Sequence, residues 1–122
     1  MPSSVEEVVQ AFIGLYARDT LGPWRELFLP GFVAAATNTD GTVTTWNLEQ
    51  FYERQRALFA SGKPVSEVLV NTHKHMSENL ACVRSDFVWT DGAAKHPGRL
   101  MMLLVAERGR FKIQALAFSY HG

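Results

Sequence analysis

The sequence predicts an α+β domain, with three helices gathered on one face of a sheet. Three observations lead there. Two N-cap signatures open stretches of helical periodicity in the first half of the chain. Beyond Pro64 the spacing of apolar residues changes from 3.6 to 2. Long alternating stretches then succeed one another with only short breaks, as antiparallel strands do. Helices followed by strands is the order expected when helices cover one face of an antiparallel sheet.

The elements follow in order. In "SSVEEVVQAFIGLYARD", Ser3 or Ser4 serves as N-cap and Glu6 or Glu7 stands three residues on, a capping box that satisfies otherwise orphaned amides. Val5, Val9, Phe12 and Tyr16 recur at helical spacing, which puts Tyr16 on the last turn. "GPWRELF" places Pro23 at a first helical position, and Leu29-Pro30-Gly31 is expected to stop this short second helix. "FVAAATNTDGTVTTW" reads as a hairpin turning at Asp40-Gly41, a dipeptide that accepts the positive φ angles of a two-residue turn. Asn47 then caps a third helix with Gln50 at its N3 position. Trp46 and Phe51 stand at the spacing of a hydrophobic staple. Leu48, Phe51, Gln55, Leu58 and Phe59 form the inward stripe, ended by Gly62 and Pro64. The strands "VSEVLVNTHKHM", "LACVRSDFVWT", "RLMMLLVAE" and "GRFKIQALAFSY" follow, broken at "SEN", "DGAAKHPG" and "RG". With no repeat or linker in sight, residues 1–122 read as one domain.

Composition narrows the function classes. Apolar residues make up 47% and charged residues 20% of the 122, an ordinary globular profile. Twelve basic residues balance twelve acidic ones, and no basic run is interleaved with aromatics, so neither nucleic acid nor an anionic membrane is an expected partner. No apolar stretch approaches the roughly 18 residues of a membrane span. A single cysteine, Cys82, has no partner for an internal disulfide, and no leader-like segment opens the chain, which together suggest the cytoplasm. "LMMLLV" and "IQALAF" are apolar on both alternating faces. Helices cover only one face, so the other is expected to pack against a second copy, giving a homodimer through the outer sheet face.

The order of elements and the closing strands resemble the nuclear transport factor 2-like superfamily, most nearly its SnoaL-like and ketosteroid-isomerase-like small bacterial members. Gly98-Arg99, then Gly109 with Phe111, Lys112 and Ile113, then Ser119, match the family's pattern by order and spacing. The resemblance covers nearly the whole chain. It implies a cone-shaped fold in which a strongly curved antiparallel or mixed sheet wraps the helices and leaves an apolar cavity, with pairing through the outer face. It implies no cofactor and no resident metal. The ligand it suggests is a small, mostly apolar carbonyl-type molecule, with acid–base chemistry of the isomerase, cyclase or dehydratase type. The superfamily also includes non-catalytic binding and association modules, so that alternative stands beside the first.

Residue by residue, Tyr16 and Asp40 resemble the hydrogen-bond donor and proton-abstracting carboxylate of the ketosteroid isomerases. The second acid of those enzymes has no counterpart, because Met101, Met102 and Leu103 occupy its neighbourhood. Many SnoaL-like relatives carry a histidine where Ala115 or Ala117 stands here. "NTHKH" is the most polar piece of the long strands: an even turn after it puts Asn71, His73 and His75 on one face with Cys82, Arg84 and Asp86. His73 there is a candidate acid–base group with Asp86 setting its tautomer. His73 and His75 are equally competent metal ligands, and a solvated face with ordinary ion pairs is the third reading. Phe12, Trp24, Trp46, Tyr52, Arg99, Met101 and Phe118 are the expected pocket lining, Met101 as a soft and adaptable wall and Arg99 as a partner for a ligand oxygen.

Overall fold

The computed structural model describes residues 3–121. Helix α1 (Val5–Gly14) starts at the expected capping box: Ser4 Oγ accepts from the Glu7 backbone N–H at 3.2 Å, and Glu7 Oε1 accepts from the Ser4 backbone N–H at 3.0 Å. The helix is shorter than its apolar pattern suggests, so Tyr16 lies beyond its C-cap and not on its last turn. Its buried stripe runs Val5, Val8, Phe12, with Val9 to one side. A 3₁₀ turn (Arg18–Thr20) leads into α2 (Leu21–Arg25), where Pro23 sits in the first turn and needs no N–H partner.

Leu29-Pro30-Gly31 does not end α2. It lies inside strand β1 (Phe28–Thr37), at an irregularity between Phe28 and Val33, and the neighbouring strand β2 (Val43–Asn47) pairs only with Val33 to Thr37. Pro30 is therefore tolerated where its missing donor has no ladder partner on that side. The β1–β2 loop is longer than two residues. Asn38 N–H donates to Thr42 O and Gly41 N–H to Asn38 O, and Gly41 alone in this loop takes a positive φ.

Helix α3 (Leu48–Ala60) has the reciprocal Asn47–Gln50 capping box, and the Trp46 and Phe51 rings meet at 6.0 Å, as the staple requires. Strands β3 (Val65–Ser77), β4 (Leu80–Asp91), β5 (Ala94–Glu107) and β6 (Arg110–Tyr120) form a meander. The break expected over "DGAAKHPG" shrinks to a tight turn, since Asp91 pairs with Ala94 and both Pro97 and Gly98 belong to β5. The whole is one six-stranded curved and unclosed mixed sheet in the order β2-β1-β6-β5-β4-β3, with β1 and β6 parallel and every other pair antiparallel.

The helices close over one face. Inward residues of the long strands are Val83, Phe87, Leu100, Met102, Leu104, Ile113 and Leu116, all buried. They meet an aromatic cluster from the helices and β1, in which Trp24 packs edge-on against Phe28 at 4.7 Å and Phe28 against Phe32 at 4.6 Å. Burying each such ring stabilises by roughly 1.5–3 kcal/mol. Trp24 satisfies its indole by donating to the Phe12 carbonyl at 3.0 Å. No helix among the described residues is long and apolar enough to cross a membrane.

Candidate functional site

Between α3, the end of α1 and the concave sheet lies a cavity of about 210 Å³. Its closed end is aromatic: Phe12, Trp24 and Phe51, all buried. Phe87, Leu100, Leu116 and Phe118 supply the sheet wall, and Trp46 stacks on Phe118 with their planes 2° apart. Exposed Asn38, Thr44, Arg54 and Tyr120 frame the open end. The Arg54 guanidinium lies over the Trp46 ring at 5.2 Å, which holds it at the rim.

Four polar groups interrupt this apolar lining. Tyr16, Gln55 and Trp89 form a chain: Trp89 Nε1–H donates to Tyr16 Oη at 3.1 Å, and Tyr16 Oη–H donates to Gln55 Oε1 at 2.5 Å. Burial holds the Tyr16 phenol far above its ordinary value, so it stays protonated. The fourth group is Glu67, on the inner face of β3 between Val65 and Leu69. Glu67 is half-buried, and among the described residues its carboxylate has neither a hydrogen bond nor an ion pair. Desolvation by the surrounding protein pushes its pKa up to about 7.

Of the expected pocket residues, Phe12, Trp24, Trp46 and Phe118 line the cavity, as does Tyr16. Tyr52 does not. It lies on α3 with the Arg25 guanidinium over its ring at 4.8 Å. Asp40 is exposed at the β1–β2 loop, where Thr42 donates to it from its hydroxyl at 2.6 Å and its backbone at 2.9 Å. These bonds hold its carboxyl below the ordinary range. This is turn chemistry, and Asp40 does not line the cavity, although Asn38 and Thr44 on either side of it do.

The "NTHKH" cluster forms as the even turn requires, but on the convex face. His73 pairs with Arg84, His75 with Cys82 and Asp86 with Arg99, and Cys82 and Arg84 alternate outward from buried Val83 and Ser85. The cause is a bulge between Val70 and His73, with Asn71 at φ 56°. Val65, Glu67 and Leu69 face inward. The extra residue reverses the alternation, so that Thr72 meets buried Ser85 at 2.8 Å and Lys74 forms an ion pair with Glu6 of α1, while His73 and His75 turn away. Asp86 accepts from Arg99 Nε at 3.0 Å and from Asn71 Nδ2 at 3.4 Å, and the Arg99 guanidinium keeps its carboxyl low. Among the described residues no three His, Cys, Asp or Glu side chains converge as metal ligands.

Arg99 and Met101 share that outer face. So do Ala115 and Ala117, where the cavity wall is instead Leu116 and Phe118. The residues that sequence reasoning missed are Glu67, Gln55 and Arg54. A signal existed for two of them: Glu67 is an acid on the inward side of the alternation Val65-Glu67-Leu69, and Gln55 is the only polar member of the α3 stripe.

No family model matches the chain, and no curated protein matches it by sequence. Solved structures do. One is a candidate dehydratase of the nuclear transport factor 2-like family from Streptomyces avermitilis (TM-score 0.75, 13% identity, covering 97% of this chain and 94% of that one). Another is a nuclear transport factor 2-like protein of unknown function from Pseudomonas aeruginosa (TM-score 0.73, 16% identity, covering 97% and 95%). A third is an uncharacterized protein with a cystatin-like fold from Caulobacter vibrioides (TM-score 0.75, 14% identity, covering 97% and 87%). What these identities establish is a common fold.

Proposed function

The chain has the nuclear transport factor 2-like fold, and on that premise we propose that it binds a small, mostly apolar carbonyl compound in its cone and moves a proton on it without a cofactor. The observation that carries this reading is Glu67, a carboxylate without a protein partner among the described residues, on the wall of a largely apolar cavity. A general base works best with a pKa near the operating pH, and burial brings Glu67 there. The cavity of about 210 Å³ falls below the range of drug-sized pockets, which limits the ligand to about one ring or a short chain.

The step is a proton transfer beside a carbonyl. The Glu67 carboxylate takes the α-proton, the C–H pair becomes a C=C bond, and the carbonyl π pair moves to oxygen. In a β,γ-unsaturated carbonyl, return of the proton from Glu67 to the γ-carbon gives the conjugated isomer; in a β-hydroxy carbonyl, the hydroxide leaves from the enolate and takes that proton as water, which is dehydration, the reaction class in the description of the Streptomyces neighbour. A non-catalytic binding module is the second reading. It is favoured by the inner face of β5, where Leu100, Met102 and Leu104 supply no second acid to share a developing charge.

The test is hydrogen exchange into the methyl group of acetophenone in D₂O, followed by NMR. Exchange accelerated by the protein and lost in Glu67→Gln supports catalysis. Bound acetophenone without accelerated exchange establishes the binding module.

The reading extends to assembly and location. Across the convex face, Val33, Ala115, Leu103 and Cys82 form one register row and Ala35, Ala117, Met101 and Arg84 the next. Val33 is 52%, Met101 52% and Leu103 41% exposed, so this band is apolar and uncovered. A second copy is the proposed cover, since a two-fold pairing lets the apolar band meet itself beside the charged Arg84, Asp86 and Arg99. The exposed, unpaired Cys82 suits the reducing cytoplasm.

A further inference from the structure

Tyr16 is the obvious candidate to polarise a ligand oxygen, yet its proton is already committed. Trp indole can only donate, so at 3.1 Å from Trp89 Nε1 the Tyr16 oxygen is an acceptor. A phenol has one proton to give, and here it points at Gln55. The phenol's proton needs an acceptor, and of the two Gln55 amide atoms only the oxygen can accept, so the amide oxygen faces Tyr16 and the amide nitrogen faces away.

That nitrogen, Gln55 Nε2, has no protein acceptor among the described residues. Among them, too, no side-chain nitrogen or oxygen sealed from solvent is left without a partner. Nε2 is therefore not sealed in, and the space that Gln55 borders is the cavity. An otherwise buried side chain thus presents its amide nitrogen, a donor with no protein acceptor, to the ligand space. Glu67 stands directly across the β3–β4 ladder from Trp89, at the other end of the same chain of groups.

We propose that the Gln55 amide, and not the Tyr16 hydroxyl, is the donor that receives the ligand's oxygen, and that Tyr16 and Trp89 are positioning residues that hold the amide in this orientation. The inference rests on the cavity-binding reading above and adds the ligand's polar chemistry to it. The matching group is a neutral carbonyl oxygen, an acceptor with no proton of its own. During proton abstraction the same oxygen gains negative charge, and a preorganised amide N–H strengthens its bond to it as it does so. A Gln amide that rotated freely would offer its oxygen half the time and repel that charge. The Trp89–Tyr16–Gln55 relay removes this alternative.

Paired probes test it: acetophenone and ethylbenzene, alike in shape and differing in the carbonyl oxygen. They are titrated into the ¹⁵N-labelled protein, and the Gln55 side-chain amide signal is assigned by its disappearance in Gln55→Met. Acetophenone is expected to shift that signal, while ethylbenzene shifts neighbouring cavity residues and leaves it in place. The preference for acetophenone over ethylbenzene is expected to fall roughly three- to tenfold in Gln55→Met, the loss of one hydrogen bond. It is expected to survive, reduced, in Tyr16→Phe.

A preference intact in Gln55→Met and abolished in Tyr16→Phe would overturn the assignment and return the donor role to the phenol. Acetophenone that binds without moving the Gln55 signal would overturn it too, leaving the cavity reading intact. If neither probe perturbs any cavity resonance, the binding reading fails and this inference fails with it.

Discussion

Glu67 and Trp89 are direct partners across the β3–β4 ladder, both on the concave side, so the carboxylate sits beside an indole that already serves the Tyr16 hydroxyl. Directly opposed residues hold their Cβ atoms about 5 Å apart, and a large ring at that distance displaces water from the acid. The result is a carboxyl that keeps its proton to about pH 7.

A stability signature follows. The folded value of about 7 exceeds the ordinary 4.5, so between these values the native state binds a proton that the unfolded chain has released. This group's contribution is therefore intact below pH 4.5, weakens as pH rises, and is fully lost above pH 7, by roughly 3 kcal/mol. Glu67→Gln cannot ionise. Denaturation of the two proteins should give equal stability near pH 4 and a variant more stable by that amount near pH 8. Base catalysis runs the opposite way, with wild-type exchange of acetophenone protons rising through about pH 7 as the carboxylate forms.

Function should be indifferent to the convex-face polar cluster. His73→Ala and Asp86→Asn are expected to leave acetophenone affinity and exchange unchanged, because the Asn71 bulge turns His73 away from the cone and Asp86 is engaged by Arg99. A tenfold loss of exchange in either variant, measured beside Glu67→Gln, would return the chemistry to that face.

Assembly is read from light scattering at micromolar concentration. The wild type is expected to be a dimer and Leu103→Asp a monomer, since a charge placed at a 41% exposed position in the centre of the apolar band must be desolvated by pairing and gains no partner. The monomeric variant should still fold, because Leu103 points away from the core, but its Tm should no longer rise with protein concentration as the dimer's does.

Gly98 carries a packing requirement. A Cβ there would lie 2.3 Å from the Ser119 carbonyl oxygen and 2.6 Å from Phe87 Cζ, and a backbone oxygen cannot move aside cheaply. Gly98→Ala is expected to cost about 1–3 kcal/mol in equilibrium unfolding and to disturb Phe87, a wall of the cavity. Unchanged stability would mean that β5 and β6 separate more easily than their ladder suggests.

Local signals in the sequence determined the elements. The Ser4–Glu7 and Asn47–Gln50 caps, the Trp46–Phe51 staple and the period-2 strands depend on neighbours within a few residues, and these are where they were expected. Phe12, Trp24, Trp46 and Phe118 stand around the cavity, and β5 and β6 carry apolar side chains on both faces. Errors came where a distant strand decided the outcome. Local signals make Pro30 a helix stop and Pro97 part of a loop, whereas Pro30 lies in β1 at an irregularity of its pairing and Pro97 lies in β5, opposite Val88. The site was decided by tertiary structure almost alone: one bulged residue, Asn71, splits β3 into a half whose Glu67 faces the cone and a half whose histidines face out. Strand side chains repeat every two residues, so a single insertion exchanges the faces while leaving the local pattern equally good. Which acid meets the cavity was therefore fixed by the pairing of β3 with β4, and not by the order of residues along β3.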